Sequence, residues 1–175
     1  MKTYAVLGSF LLLTSAAFAQ QKDQVIANQA IAIGPWDIAT NSKGGKFDSC
    51  AMSRTADDLG ISFVRTADGL LLLLDSPKWK LERAKAYTVR LTAGGQSVEA
   101  KALAETKNVT ITLADRPLNA KLKIANALVV QGEGATLRVP LDKSALALER
   151  LEACFERNVR EGPETNPFVA PSRKP

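Results

Sequence analysis

Segments in which apolar and polar residues alternate occupy much of the chain between residues 31 and 142. The clearest examples are 49–54, 86–91, 97–103 and 108–113. A period of two is typical of β-strands that bury one face, because successive side chains point to opposite sides of a sheet. The pattern predicts a mainly β fold of roughly seven to nine short strands, arranged as a single antiparallel β-sandwich or a partly closed barrel.

A short sequence repeat lies within this pattern. The residues Arg-Thr-Ala-Asp at 54–57 recur at 65–68, and an apolar segment follows each copy. Asp68 and Gly69 favour a hairpin turn because both residue types tolerate positive φ. We therefore expect a β-meander here. The five leucines at 70–74 are too few for a helix and predict a strand covered on both faces.

The first strand of the domain is predicted near residues 31–39. Pro35 favours an edge strand or a strand start, because proline cannot donate a hydrogen bond to a neighbouring strand. Trp36 and Ile38 are two residues apart, so we expect both side chains on the buried face. The polar and glycine-rich segment 40–46 predicts a turn.

Two segments depart from the period of two. The segment 117–128 has apolar residues at helical spacing, and Pro117 suits a first helical turn, which predicts one short internal helix. The segment 144–158 predicts an amphipathic C-terminal helix, with Asp142 as its N-cap. Its apolar face consists of Ala147, Leu148, Leu151, Cys154 and Phe155.

The N-terminus has the features of a secretory signal peptide. Lys2 precedes an apolar run at 5–13, and Ala17 and Ala19 place small residues before Gln20. The run is shorter than the roughly 20 residues that a membrane-spanning helix requires. We therefore expect cleavage after Ala19, no integral membrane span afterwards, and a periplasmic or secreted protein.

Composition divides the chain into four regions. We predict a signal peptide at 1–19, a flexible leader at 20–30 and a β-rich domain at 31–159. A disordered, proline-rich tail is predicted at 160–175, where prolines recur at short intervals.

Cys50 and Cys154 are the two cysteines of the chain. In an oxidising compartment a lone pair of this kind predicts a disulfide, and two free thiols are the alternative. The bridge would close a loop of about 100 residues, for which chain entropy gives a stabilisation of up to about 4–5 kcal/mol. It would pin the C-terminal helix to an early strand.

The chain contains no histidine. Ser-His-Asp and Cys-His catalysis and histidine-based metal sites are therefore excluded within this chain. Carboxylate, lysine, tyrosine or Ser-Lys chemistry would remain. We expect a protein that is not an enzyme and that carries no cofactor or metal.

Two weaker metal candidates follow from spacing. Asp57 and Asp58, together with Asp48 or Asp68, offer oxygen ligands to Ca²⁺, although exposed turn residues are the simpler interpretation. Cys50 and Met52 offer soft ligands to Cu(I), but a disulfide at Cys50 would exclude this role.

The formal net charge is +5, and the densest basic stretch lies at 77–85. We predict a binding surface there, with Trp79 as the anchor and Lys78, Lys80 and Arg83 around it; a solvated turn is the alternative. A protein or an anionic component of the cell envelope would suit this charge. Nucleic acid is disfavoured because the aromatic residues are few and scattered.

Several segments carry a family resemblance. They are Trp36 followed by Cys50-Ala51-Met52, the strand at 69–74, the segments 77–79 and 83–89, and the ending at 139–148. Over about residues 34–155 the chain resembles the invasion-associated locus B family of small exported β-sandwich proteins of alphaproteobacteria. The resemblance implies a periplasmic or surface role in envelope function or host contact, and it brings no catalytic residues.

These observations predict a non-enzymatic exported binding or interaction protein of the cell envelope, whose partner is an envelope or host protein or an anionic envelope component. One alternative is an inhibitor of an envelope or host hydrolase such as lysozyme, since a rigid loop loses little entropy on binding. A second alternative is a glycan-acting enzyme that uses two carboxylates.

Overall fold

The computed structural model describes residues 30–161, which form ten strands and two helices. The strands are β1 (Ile31–Ile33), β2 (Trp36–Lys43), β3 (Lys46–Ala56), β4 (Leu59–Thr66), β5 (Gly69–Asp75), β6 (Ala86–Ala93), β7 (Gln96–Ala104), β8 (Asn108–Thr112), β9 (Ala127–Gln131) and β10 (Thr136–Pro140). The helices are α1 (Arg116–Lys121) and α2 (Ser144–Glu161). The predicted signal peptide, nearly all of the leader and most of the tail lie outside the described residues.

All ten strands belong to one antiparallel sheet in the order β1-β2-β3-β4-β5-β8-β7-β6-β9-β10. Strands β2 to β5 form a meander. Strands β6 to β8 form a second meander, whose last strand pairs with β5 and whose first strand pairs with β9. The sheet is not closed, because β1 and β10 are its two edges. Its inner face nevertheless surrounds one hydrophobic core.

The mainly β fold with a C-terminal helix and one short internal helix is confirmed. The number of strands is ten, against the seven to nine predicted. The single strand predicted near 31–39 is in fact two strands, β1 and β2, separated by a two-residue turn. Strand β9 is not predicted, because its first residues, Ala127 and Leu128, continue the helical pattern that precedes them. Helix α1 is correspondingly short and ends at Lys121.

The predicted turn at 40–46 is wrong in extent. Strand β2 continues to Lys43 and β3 begins at Lys46, so the turn consists of Gly44 and Gly45. Both glycines have positive φ, 59° and 74°, which a two-residue hairpin turn requires and which glycine adopts without steric cost. The polar side chains before them belong to exposed strand positions.

The predicted meander is present, but the five-leucine strand is not covered on both faces. Leu72 and Leu74 are fully buried, whereas Leu71 and Leu73 are half-buried. Leu71 lies opposite Val64 on β4 and is on the outer face of the sheet. Both helices pack on the inner face, so within the described residues the outer side of β5 is covered by its neighbouring strands alone.

Helix α2 packs on the inner face of β2, β3 and β4. All five residues predicted for its apolar face are buried. The predicted N-cap is wrong: Lys143 supplies the carbonyl that accepts from the amide of Ala147, and the carboxylate of Asp142 binds Arg54 instead. Helix α1 is capped by Asp115, whose side chain accepts a 2.7 Å hydrogen bond from the amide of Leu118.

The predicted disulfide joins Cys50 on β3 to Cys154 on α2, with 6.2 Å between the two Cα atoms. Polar contacts reinforce the same junction. Arg65 on β4 donates a 2.9 Å hydrogen bond to Glu152, and its guanidinium lies 4.5 Å from the ring centre of Phe155. The helix is therefore held covalently and non-covalently at the middle of its length.

A cluster around Trp36 links β2 to the segment after β10. The fully buried indole of Trp36 donates a 2.9 Å hydrogen bond to the carbonyl of Asp142 and packs edge-on against Phe63. Arg54 stacks over the indole at 5.2 Å and binds the carboxylate of Asp142 at 2.5 Å. The hydrogen bond from Arg54 lowers the pKa of Asp142 below its ordinary value.

Removing the disulfide should cost stability without changing the strand pattern. We expect the variant with both Cys50→Ala and Cys154→Ala to lose about 3–5 kcal/mol of unfolding free energy, because the unfolded chain regains the freedom of a long loop. Urea unfolding measures the loss, and circular dichroism checks the strands. A reducing agent should destabilise the wild type and leave the variant unchanged. Equal urea midpoints for the two proteins would contradict the role of the bridge.

Asp142→Asn should destabilise the fold near pH 7 by up to about 1 kcal/mol, because a half-exposed ion pair is screened by solvent. A carboxylate with a lowered pKa stabilises the fold while ionised, above its unfolded-state pKa, and this contribution is lost as the pH falls through the folded pKa. The difference from wild type should therefore shrink as the pH falls from about 5 to about 2.

Urea unfolding at several pH values tests this, with Asp48→Asn as the control, since Asp48 is exposed and makes no ion pair among the described residues. A difference that stays constant with pH would show that the charge of Asp142 contributes nothing.

Candidate functional site

The segment 76–85, here called the Trp79 loop, connects β5 to β6 without regular secondary structure. Backbone hydrogen bonds tie it to the end of β7 and the β7–β8 turn. They run from the amides of Ser76, Leu81 and Ala84 to the carbonyls of Lys107, Thr106 and Ala104, at 3.0, 3.1 and 2.8 Å. The loop is therefore held along most of its length, which favours a defined position for the side chains it carries.

Trp79 is half-buried and lines an apolar cleft of about 590 Å³. The cleft lies between the Trp79 loop and the β9–β10 turn at 132–135. Its apolar lining comprises Leu74, Trp79, Leu81, Tyr87, Val89, Ala102, Val109, Ile111, Val130 and Leu137. The cleft thus opens into the inner face of the sheet, at the ends of β5, β7 and β9.

The charged side chains of this cleft stand at its rim. Lys85 and Glu133 are both exposed, on opposite walls. The ammonium group of Lys85 donates a 2.7 Å hydrogen bond to Glu82 and lies 5.4 Å from the ring centre of Tyr87. Glu82 raises the pKa of Lys85 above its ordinary value. Lys85 therefore stays charged at neutral pH, beside an aromatic ring at the cleft entrance.

The three predicted basic residues surround Trp79 but do not form an open cationic patch. Lys78 binds Asp58 at 2.8 Å, and this exposed pair raises the pKa of Lys78 and lowers that of Asp58. Arg83 binds Glu105 at 2.8 Å. Lys80 is exposed and makes no ion pair within the described part of the chain. Two of the three charges are thus neutralised by partners from other segments.

Neither of the two candidate metal sites is formed by the described residues. Asp57 and Asp58 form the β3–β4 turn with positive φ of 49° and 62°, a conformation that aspartate tolerates. Residues 30–161 contain no group of three or more His, Cys, Asp or Glu that could hold a metal ion. Cys50 is bound in the disulfide and Met52 is fully buried.

A second groove, of about 870 Å³, lies at the opposite ends of β5 and β8, beside the two helices. Asp68 and three glutamates of α2 (Glu149, Glu152 and Glu156) line it. Glu152 is paired with Arg65, and the other three are exposed. A glycosidase acid requires surroundings of low polarity. The groove therefore adds no support to the glycan-acting alternative.

Sequence reasoning found Trp79 but missed the other walls of the cleft. The alternation at 86–91 predicts the strand that carries Tyr87 and Val89, but it gives no link between these residues and Trp79. The sequence pattern does not predict β9, the strand that carries Val130. No local signal joins these positions, since pairing between distant strands brings them together.

Comparisons of the chain with protein-family models, curated proteins and solved structures find no match. In the part of the chain that the structure describes, no helix is both long enough and apolar enough to cross a membrane.

The two tryptophans should differ in accessibility. Trp36 is fully buried and Trp79 is half-buried at the cleft. In Trp36→Phe the remaining fluorescence, from Trp79, should be quenched readily by acrylamide. In Trp79→Phe the fluorescence of Trp36 should resist quenching. In urea the two variants should behave alike. Equal quenching of the folded variants would contradict the placement of Trp79.

Proposed function

We propose that this is a non-enzymatic exported binding protein of the cell envelope, which holds an apolar part of its ligand in the Trp79 cleft. The observation that carries the proposal is an apolar cleft of about 590 Å³ with a half-buried tryptophan on its wall. Small-molecule sites are of this kind: mostly apolar, with volumes of about 300–1,000 Å³ and a few polar groups.

The way the Trp79 loop is held supports a binding role. Its backbone hydrogen bonds to the β7–β8 turn place Trp79 and Leu81 before any ligand arrives. A wall that is already ordered loses little conformational entropy on binding, so more of the contact energy appears as affinity. Lys107 adds to this arrangement by donating a 2.5 Å hydrogen bond to the carbonyl of Pro77.

Export to the periplasm or beyond is part of the same proposal. It rests on the signal-like pattern at 1–19, on the Cys50–Cys154 disulfide, and on the resemblance to the invasion-associated locus B family. Disulfides form and persist in oxidising compartments and are rare in a reducing cytosol. A ligand or partner from the envelope would be accessible to the protein in that location.

Filling the cleft should weaken the binding of an apolar probe. Gly134 lines the cleft, and a Cβ atom built there meets no atom within 4 Å. We expect the wild type to bind the uncharged dye Nile red saturably. Gly134→Leu should weaken binding at least about tenfold, a loss of about 1.4 kcal/mol. Trp79→Ala should also weaken it. Fluorescence titration measures the dissociation constants.

The matched control is Ile124→Ala, since Ile124 is an apolar residue that is 73% exposed and does not line the cleft. It should bind the dye as the wild type does. Thermal melts check that Gly134→Leu remains folded. A folded Gly134→Leu variant with wild-type affinity would place the dye elsewhere and would refute the proposal.

A further inference from the structure

We infer that the Trp79 cleft takes an extended peptide segment of a partner protein, which pairs with the free edge of β6 and places an apolar side chain in the cleft. This inference rests on the proposed function and specifies its ligand. It starts from a gap in the sheet, because β6 is paired along only part of its length on the side of β9.

The gap is defined by strand pairing. Strand β6 pairs with β7 over its whole length, but its pairing with β9 covers residues 90–92. After Gln131 the chain turns back into β10, and the amide of Gly132 donates a 2.9 Å hydrogen bond to the carbonyl of Ala135 within that turn. Among the described residues, the edge of β6 at 86–89 therefore has no strand beside it on this side.

The alternation of antiparallel pairing shows which backbone groups of β6 face β7. The amide of Ala104 donates a 2.8 Å hydrogen bond to the carbonyl of Lys85, in the register that joins the two strands. Hydrogen-bonded positions recur at every second residue of an antiparallel pair. Tyr87 and Val89 therefore direct their N–H and C=O groups at β7.

Ala86 and Thr88 consequently direct their backbone groups into the gap, where the described residues provide no hydrogen-bond partner for them. Each of the two residues has one N–H donor and one C=O acceptor. An unpaired strand edge is a template for another extended chain, which satisfies donors and acceptors together. A hydrocarbon ligand would cover this edge and satisfy neither. The edge therefore favours a peptide backbone as the ligand.

The gap opens into the apolar cleft. Residues 85–89 line the cleft as an unbroken run, together with the β9–β10 turn. Tyr87 and Val89 lie on the inner face of β6, where Val89 is buried and Tyr87 is half-buried. A strand added beside them would direct alternate side chains to the same face, into the cleft that Trp79 lines. Those side chains have to be apolar, because the walls that they meet are apolar.

The charges that line the cleft favour a basic residue in the added segment. They are Lys85 and Glu133, and Lys85 is already neutralised by Glu82 at 2.7 Å. Glu133 is exposed on the opposite wall and makes no ion pair within the described part of the chain. One negative charge is thus left at the entrance. A lysine or arginine of the segment would complement Glu133, and an acidic residue would be repelled.

Amide hydrogen exchange measured by NMR tests the free edge directly. In the free protein we expect the amides of Ala86 and Thr88 to exchange at least about a hundredfold faster than those of Tyr87 and Val89, relative to their intrinsic rates. Equal protection of all four amides would show that a second copy or another segment of the chain already covers the edge, and it would overturn the inference.

The probe for binding is the capped peptide acetyl-Thr-Val-Thr-Leu-Thr-Lys-amide. We expect it to displace Nile red and to slow exchange at Ala86 and Thr88 at least about tenfold. Replacing its lysine by glutamate should weaken binding about fivefold, and added salt should reduce this difference. Equal affinities of the two peptides would overturn the role of Glu133.

Two methylated versions of the peptide test backbone pairing. One carries N-methyl groups on valine and leucine, and the other carries them on the last two threonines. Alternate amides of an added strand face β6, so one version should bind like the parent peptide and the other at least about tenfold more weakly. Equal affinities of the two versions would show that the backbone of the peptide does not pair with β6.

A pair of variants tests the same edge from the side of the protein. Thr88→Pro removes an N–H group that faces the gap and spares the hydrogen bonds to β7. It should bind the peptide at least about fivefold more weakly than the matched variant Thr88→Ala, which keeps that N–H group. Thermal melts check folding, and the methylated peptides decide the point if Thr88→Pro does not fold.

Failure of the inference is distinguishable from failure of the proposed function. If Nile red binds in the cleft, and the peptide neither displaces it nor slows exchange at Ala86 and Thr88, the ligand class is wrong while the binding function stands. Equal peptide affinities of folded Thr88→Pro and Thr88→Ala would likewise refute pairing with β6.

Discussion

The inner face of the ten-stranded sheet is apolar along its length and has to be withdrawn from water, and the rest of the structure depends on how this is achieved. Two helices and the curvature of the sheet share the task. Helix α2 covers β2, β3 and β4, where the disulfide and the ion pair between Arg65 and Glu152 hold it. The Trp36 cluster then ties the segment after β10 to β2. The unclosed sheet is thereby stabilised across the gap between its two edges.

The cleft is the part of the inner face that this arrangement leaves uncovered. The helices lie beside the opposite ends of β5 and β8, and among the described residues the Trp79 loop and the β9–β10 turn flank the ends near Leu74 and Val109. A loop held by backbone hydrogen bonds covers apolar surface without filling the space beneath it. Stability and the proposed binding therefore involve different parts of the fold: the covalently pinned end supports the core, and the other end carries the apolar cleft.

Charge acts mainly through local pairs. The basic stretch around Trp79 would give a strongly cationic loop if its charges were free, but Asp58 and Glu105 reach Lys78 and Arg83 from neighbouring turns. Exposed pairs of this kind contribute little to stability. Their larger effect is to reduce the positive field at the loop. Lys85, which lines the cleft itself, is likewise paired with an acidic neighbour in the loop.

The sequence alone determined the class of fold and the apolar face of α2, because hydrophobic periodicity shows which side of an element is buried. It also predicted the bridge between Cys50 and Cys154, since a chain with two cysteines allows one intramolecular pairing. It pointed to Trp79 as a candidate binding residue, but it did not predict the residues that form the cleft around Trp79. The tertiary structure decided that β5 pairs with β8, that β9 joins β6, and that Trp79 meets Tyr87 and Leu137 across a cleft. Strand order depends on contacts between residues far apart in the chain, and an alternating pattern fits many possible neighbours equally well.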